Sequence, residues 1–163
     1  MLAPVPYSDL LGAEDPLAIL AATPDRIEEI VRGWDSSRWA TTYGPGKWNA
    51  AQLVLHLAQD EIGLCNRVRL ALSVNGYVVQ PYDGAAWVAL ETPTPAEVAL
   101  AAFVALRRLN LMLYRRLSSA ERARPFLHPD LGDISIEWII RTLAGHDLHH
   151  LQHLQAIQRR EQP

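Results

Sequence analysis

Apolar residues recur at helical spacing in four stretches of the chain, separated by segments rich in Gly, Pro and polar residues. In the first stretch Thr23 and Pro24 read as an N-cap and a first-turn proline. They open a helix over Pro24–Trp34 with Ile27, Ile30 and Val31 on one face. Asp35 to Trp48, with its Tyr43-Gly44-Pro45-Gly46 run, reads as loop. Asn49 caps a long second helix to about Val74, with Leu53, Leu57, Leu64, Val68 and Leu72 in register, and Asn75-Gly76 ends it. Tyr77 to Glu91 holds Pro81, Gly84 and a short helix around Trp87. Thr94-Pro95 repeats the earlier cap signature and starts a third helix to about Leu117, with Val98, Ala102, Leu106, Leu109 and Leu113 in register. Ser118 to Asp133 reads as loop, punctuated by Pro125, Pro129 and Gly132. Ser135 caps a fourth helix to about Arg159, and Glu137 near its start suits the helix dipole. No alternating pattern predicts a strand.

Four helices with one apolar stripe each bury those stripes best against one another. The expectation is all-α: an antiparallel four-helix bundle, up-down with at least one long connection. The connections from Asp35 and from Asn75 span roughly 14–20 residues, against about 2–8 for an ordinary bundle loop. Such length at one end of a bundle can build a pocket.

Composition changes this picture little. A chain of 163 residues suits one domain over 1–163, and 49% hydrophobic with 20% charged residues excludes disorder and low-complexity repeats. A net charge of −3, with basic residues scattered, argues against a nucleic-acid partner. No run of apolar residues is long enough to span a membrane, and the N-terminus lacks the pattern of a secretory signal. Cys65 is the one cysteine, so no intrachain disulfide forms, and a cytoplasmic location is expected. Gly44-Pro45-Gly46 has too few glycines for a phosphate loop.

The strongest chemical signal is Gly145-His146-Asp147-Leu148-His149-His150-Leu151-Gln152-His153. At about 100° per residue, His150 falls one turn from His146 on the same face, while His149 lies to the other side. Ile139, Leu143 and Ile157 lie on or beside that face, so the stripe points inward. An i, i+4 histidine pair on an inward face suits a metal ion; the competing reading is a solvated, His-rich helix end. A further ligand has to come from another helix. His56 is the candidate inside a helical pattern, and His149 competes for the third position. A lone His on an apolar face is commonly a satisfied core residue. Here Asp60, Gly63 and Arg67 follow on nearly the same line, making a polar seam that is costly unless it lines a cavity or a metal. Asp60 reads either as a solvent-facing acid or as a group orienting His56 or acting as a base. Arg67 reads as an interhelical salt bridge or as an anchor, and Glu61 and Asp147 as surface residues or supports behind the ligands. The five tryptophans read as packing, although Trp48 and Trp87 lie in long connections that could wall a pocket. Cys65 reads as a small buried residue, and His128 as a loop residue.

Two motifs together resemble the DinB/YfiT-like superfamily of metal-dependent bacterial proteins over about Pro24 to Gln158. The first is Gly46-Lys47-Trp48-Asn49 leading into Leu55-His56-Leu57, Glu61 and Arg67. The second is Gly132-Asp133-Ile134-Ser135 leading into Gly145-His146-Asp147-Leu148-His149-His150-Leu151. The resemblance implies an antiparallel four-helix bundle with one divalent ion, zinc or nickel, on His56, His146 and His150. It leaves room for a homodimer formed through helix faces. Superfamily members include S-transferases that use low-molecular-weight thiols such as bacillithiol, and a mycothiol-dependent maleylpyruvate isomerase. The resemblance therefore implies a metal-dependent enzyme acting on a small molecule. Thiol transfer with Arg67 as a cationic anchor leads; the alternatives are a hydrolase with Asp60 as base, or a non-catalytic bundle stapled by the metal.

Overall fold

Asp15, not Thr23, starts the first long helix of the computed structural model, which describes residues 2–160. After a short turn α1 (Ser8–Leu11), helix α2 (Pro16–Val31) opens with the Asp15 carboxylate accepting from the Leu17 N–H at 3.1 Å and proline at the first position. Thr23 and Pro24 lie inside it. The Thr23 hydroxyl donates to the Ile19 carbonyl one turn back, at 2.9 Å. Pro24 has no N–H for the Leu20 carbonyl, so that carbonyl is left for another partner.

A short α3 (Ser36–Trp39) interrupts the next connection. Helix α4 (Ala50–Ser73) begins at a capping box: Asn49 accepts from the Gln52 N–H at 2.9 Å, and Gln52 accepts from the Asn49 N–H at 3.1 Å. The long crossover contains α5 (Gly84–Glu91), and helix α6 (Ala96–Tyr114) follows with Pro95 at the N-cap. Thr94 turns its hydroxyl back to the Glu91 carbonyl instead of capping α6. After α7 (Ser119–Arg122) the segment expected as loop forms a hairpin, β1 (Pro125–His128) and β2 (Gly132–Ser135), antiparallel with Phe126 opposite Ile134. Two alternations per strand are too short a pattern to read from sequence. His128 is buried in this hairpin. Helix α8 (Ile136–Gln158) starts where expected, with the Ser135 hydroxyl accepting from the Trp138 N–H at 3.1 Å.

The four long helices form a four-helix bundle, as expected, though not in simple up-down order, and its core has two halves. One half collects Leu20 of α2, Cys65 and Val68 of α4, Leu111 and Tyr114 of α6, and Ile139 and Leu143 of α8. The other collects Ile27 and Val31, Leu53 and Leu57, Ala99 and Phe103, and Leu151 and Leu154. Helices α2 and α8 therefore run in one direction and α4 and α6 in the other. The crossover with α5 is what lets α4 and α6 run parallel. The face of α6 is also rotated from the expected one: Val98 and Leu109 are exposed, while Phe103, Arg107, Asn110 and Leu111 are buried. Among the described residues, no helix is long and apolar enough to cross a membrane.

Candidate metal centre

Between the two apolar halves lies a polar layer. At its heart is Arg107, only 1% exposed, which joins all four long helices. Its Nε donates to Glu61 Oε1 on α4 at 2.9 Å, and its Nη2 to Asp147 Oδ1 on α8 at 3.0 Å. Its Nη1 donates to the Leu20 carbonyl on α2 at 3.0 Å, the carbonyl that Pro24 leaves free. Burial opposes the charged guanidinium, but Asp147 and Glu61 outweigh it and raise its pKa. Asn110, one turn along α6, donates to Glu61 Oε2 at 2.8 Å. Glu61 and Asp147 are thus neither surface residues nor ligands. Each fixes the helix turn beside a residue of the adjoining cluster: Asp60 next to Glu61, His146 next to Asp147.

That cluster brings together His56, His146 and His150, each offering a ligand atom within 4.8 Å of the others. His56 Nε2 stands 3.1 Å from His146 Nε2, which stands 2.8 Å from His150 Nε2. The three are 9%, 9% and 5% exposed. Burial keeps them neutral: His56 is lowered to about 4 and His146 to about 3, and His150 is lowered too, with the neighbouring imidazoles adding to burial at His146 and His150. Neutral imidazole is the state that binds a divalent ion. A ring nitrogen offers either one hydrogen or one lone pair, so His146 Nε2 can pair fully with only one of its two neighbours. Four-coordinate ligands at about 2.0–2.1 Å from an ion stand about 3.3 Å apart, close to the spacing here. Asp60 places a carboxylate beside the rings that a cation would meet. The donor set fits one divalent ion.

Asp60 lies against the cluster. Its Oδ2 is 3.6 Å from His56 Nε2 and 3.3 Å from His146 Nδ1, although the latter is not aligned for a hydrogen bond. Its Oδ1 accepts from the Tyr82 hydroxyl at 2.8 Å. Burial, reinforced by Glu61 and Asp147 and opposed by the Tyr82 hydrogen bond and Arg67, raises its pKa to about 7. Asp60 is therefore buried, not solvent-facing. Tyr82 reaches it because α4 has Gly63 there: a Cβ would stand 2.6 Å from the ring. Trp87 stacks on Tyr82 with ring centroids 4.4 Å apart, and Trp48 sits 4.8 Å from His56, so both tryptophans of the long connections flank the site.

Arg67 reaches the same layer but not the histidines. Its guanidinium lies over the Tyr82 ring, 4.9 Å from the centroid, and donates to the Gln80 carbonyl at 3.3 Å. Among the described residues it has no salt bridge to an acid. His149 turns away from the ligand cluster to Tyr7, with ring centroids 4.9 Å apart, and His153 stacks on Tyr43 at 3.9 Å. The His153 Nδ1 lies 3.4 Å from His150 Nδ1. Cys65 is buried and burial pushes its thiol well up, which removes it as a nucleophile. Arg107, Asn110 and Tyr7 join the site from positions that no motif in the sequence marks.

The sequence profile described as the DinB superfamily matches residues 19–154. A protein of Oceanobacillus iheyensis carrying the name "putative metal-dependent hydrolase" is 32% identical over 139 residues, covering 85% of this chain and 81% of its own. YfiT of Bacillus subtilis, with the same name, is 29% identical over 147 residues, covering 88% and 83%. Among solved structures, one described as "YfiT from Bacillus subtilis is a probable metal-dependent hydrolase with an unusual four-helix bundle topology" superposes with a TM-score of 0.82 at 27% identity. It covers 88% of this chain and 84% of that one.

Proposed function

The chain belongs to the DinB superfamily, and from that premise we propose that it is a metal-dependent hydrolase of a small-molecule substrate. In this reading His56, His146 and His150 hold one divalent ion and Asp60 handles the proton. The observation that carries it is the convergence of three neutral Nε2 atoms beside a buried carboxylate. The names borne by the relatives support the same reading. A divalent ion held by these three neutral imidazoles would keep its full charge and would supply Lewis acidity that makes water or a thiol nucleophilic at neutral pH. Asp60 Oδ2, beside His56 and His146, is placed to take a proton from an attacking water and pass it to the leaving group. Tyr82 holds Oδ1, so that Oδ2 faces the histidines. Arg107, through Glu61 and Asp147, holds the two helices at the spacing the cluster needs.

Thiol transfer is the second reading. Three imidazoles suit a thiolate as well as water, and Arg67 stands in the polar layer, but its engagement with Tyr82 and Gln80 weakens it as an anchor for an anionic thiol. The two readings part in one experiment. Zinc- or nickel-loaded protein is assayed against ester and amide panels, and separately with bacillithiol and a chloro-aromatic acceptor. We expect hydrolysis above the metal-free control, and Asp60→Asn should lower kcat by about 100-fold or more while the metal stays bound. Thiol consumption without hydrolysis would replace this reading by transfer, and Arg67→Ala should then raise the KM for the thiol.

A further inference from the structure

Tyr7 is the one non-glycine residue with positive φ among the described residues, at φ 58° and ψ 19°. A bulky side chain in the left-handed region costs on the order of 1 kcal/mol and persists where its surroundings hold it. Here they do. The Trp138 indole donates to the Pro4 carbonyl at 2.9 Å, and Leu11 is buried in the core, so the chain is pinned on both sides of Tyr7. Between these pins the backbone lies directly on α8 at Gly145. A Cβ there would stand 2.7 Å from Tyr7 Cβ and 2.9 Å from the Tyr7 carbonyl oxygen. This close approach sets the phenol ring 5.6 Å from His146 and 4.9 Å from His149, centroid to centroid. Tyr7 is 38% exposed, at the boundary between the buried cluster and solvent. Tyr7 also lies ahead of residue 19, where the match to the superfamily begins.

We infer that Tyr7 is a ligand-binding residue of the metal centre. Its ring forms the outer wall beside His146, and its hydroxyl donates a hydrogen bond to the oxygen of a carbonyl or phosphoryl group held beside the three histidines. The inference rests on the metal-centre reading above and narrows the substrate class to molecules presenting such an oxygen. A glycine at this position would relieve the backbone, so a tyrosine held there against strain points to work done by the side chain.

The test uses the full chain loaded with cobalt(II), whose visible absorption reports on the ion's ligands, and acetohydroxamate as an oxygen-bearing probe. Tyr7→Phe keeps the ring and its packing but removes the donor. We expect the acetohydroxamate Kd to rise by about tenfold, as for loss of one charge-assisted hydrogen bond, with cobalt affinity, the ligand-free spectrum and Tm unchanged. An unchanged acetohydroxamate Kd overturns the role of Tyr7 and leaves the metal centre standing. An equal loss of cobalt affinity overturns it too, since it would show a packing role. Failure of the unsubstituted chain to take up cobalt at all would overturn the metal reading and this inference with it.

Discussion

His150→Ala is expected to lower zinc affinity by more than 100-fold, whereas His149→Ala and His153→Ala, on the same helix within one turn of it, should leave the metal bound. The difference follows from where each ring points. The His150 Nε2 faces His146 Nε2 at 2.8 Å inside the bundle, and burial keeps it neutral. Its removal takes one of three ligands, a larger loss than the 10–100-fold that follows removal of a group supporting a ligand. His153 touches only the far side of the His150 ring, Nδ1 to Nδ1 at 3.4 Å, and is expected to cost about tenfold at most. His149 packs on Tyr7 and should cost less. Competition with a chromophoric chelator measures all three, and a circular dichroism spectrum confirms that each variant is folded. Equal losses from His149→Ala and His150→Ala would show that the ligand set is wrong.

Arg107→Met should cost about 3–5 kcal/mol of stability, the effect of removing one partner from a buried ion pair. Methionine fills similar space but leaves Glu61 and Asp147, both fully buried, facing each other with no countercharge, and strips the Leu20 carbonyl of its donor. Against a total of about 5–15 kcal/mol for a folded domain, that is a large share. The cost comes from the orphaned carboxylates. The triple variant Arg107→Met, Glu61→Gln, Asp147→Asn is therefore expected to recover a substantial part of it. Guanidinium chloride unfolding of metal-free protein measures both. A loss under about 1 kcal/mol from Arg107→Met, or no recovery in the triple variant, would contradict this account of the polar layer.

Much of this was legible in the sequence, and the exceptions have physical reasons. Asn49 and Gln52 announce α4 because a capping box is local, and His146 and His150 announce an inward face because i, i+4 spacing is local too. Thr23-Pro24 misleads because Thr-Pro serves equally well to start a helix or to sit inside one whose freed carbonyl has a donor. That donor is Arg107, far away in sequence. The register of α6 was ambiguous because apolar residues surround it. Val98 and Leu109 continue one stripe and Phe103 and Leu111 another, and the buried one carries Arg107 and Asn110. The polar pair in the buried stripe was the available signal, since Glu61 and Asp147 on other helices need partners. Tyr82 and Tyr7 join the site through glycines on the helices they touch, Gly63 and Gly145, a relation between distant segments that no spacing rule reveals.

The central claim, one divalent ion on His56, His146 and His150, is tested most directly by elemental analysis of the full chain purified without a His-tag, in the unsubstituted form and as His56→Ala. The account predicts close to one zinc or nickel per chain in the first and almost none in the second. Less than about a tenth of an ion per chain after incubation with zinc and with nickel, or equal metal content in both proteins, would contradict it.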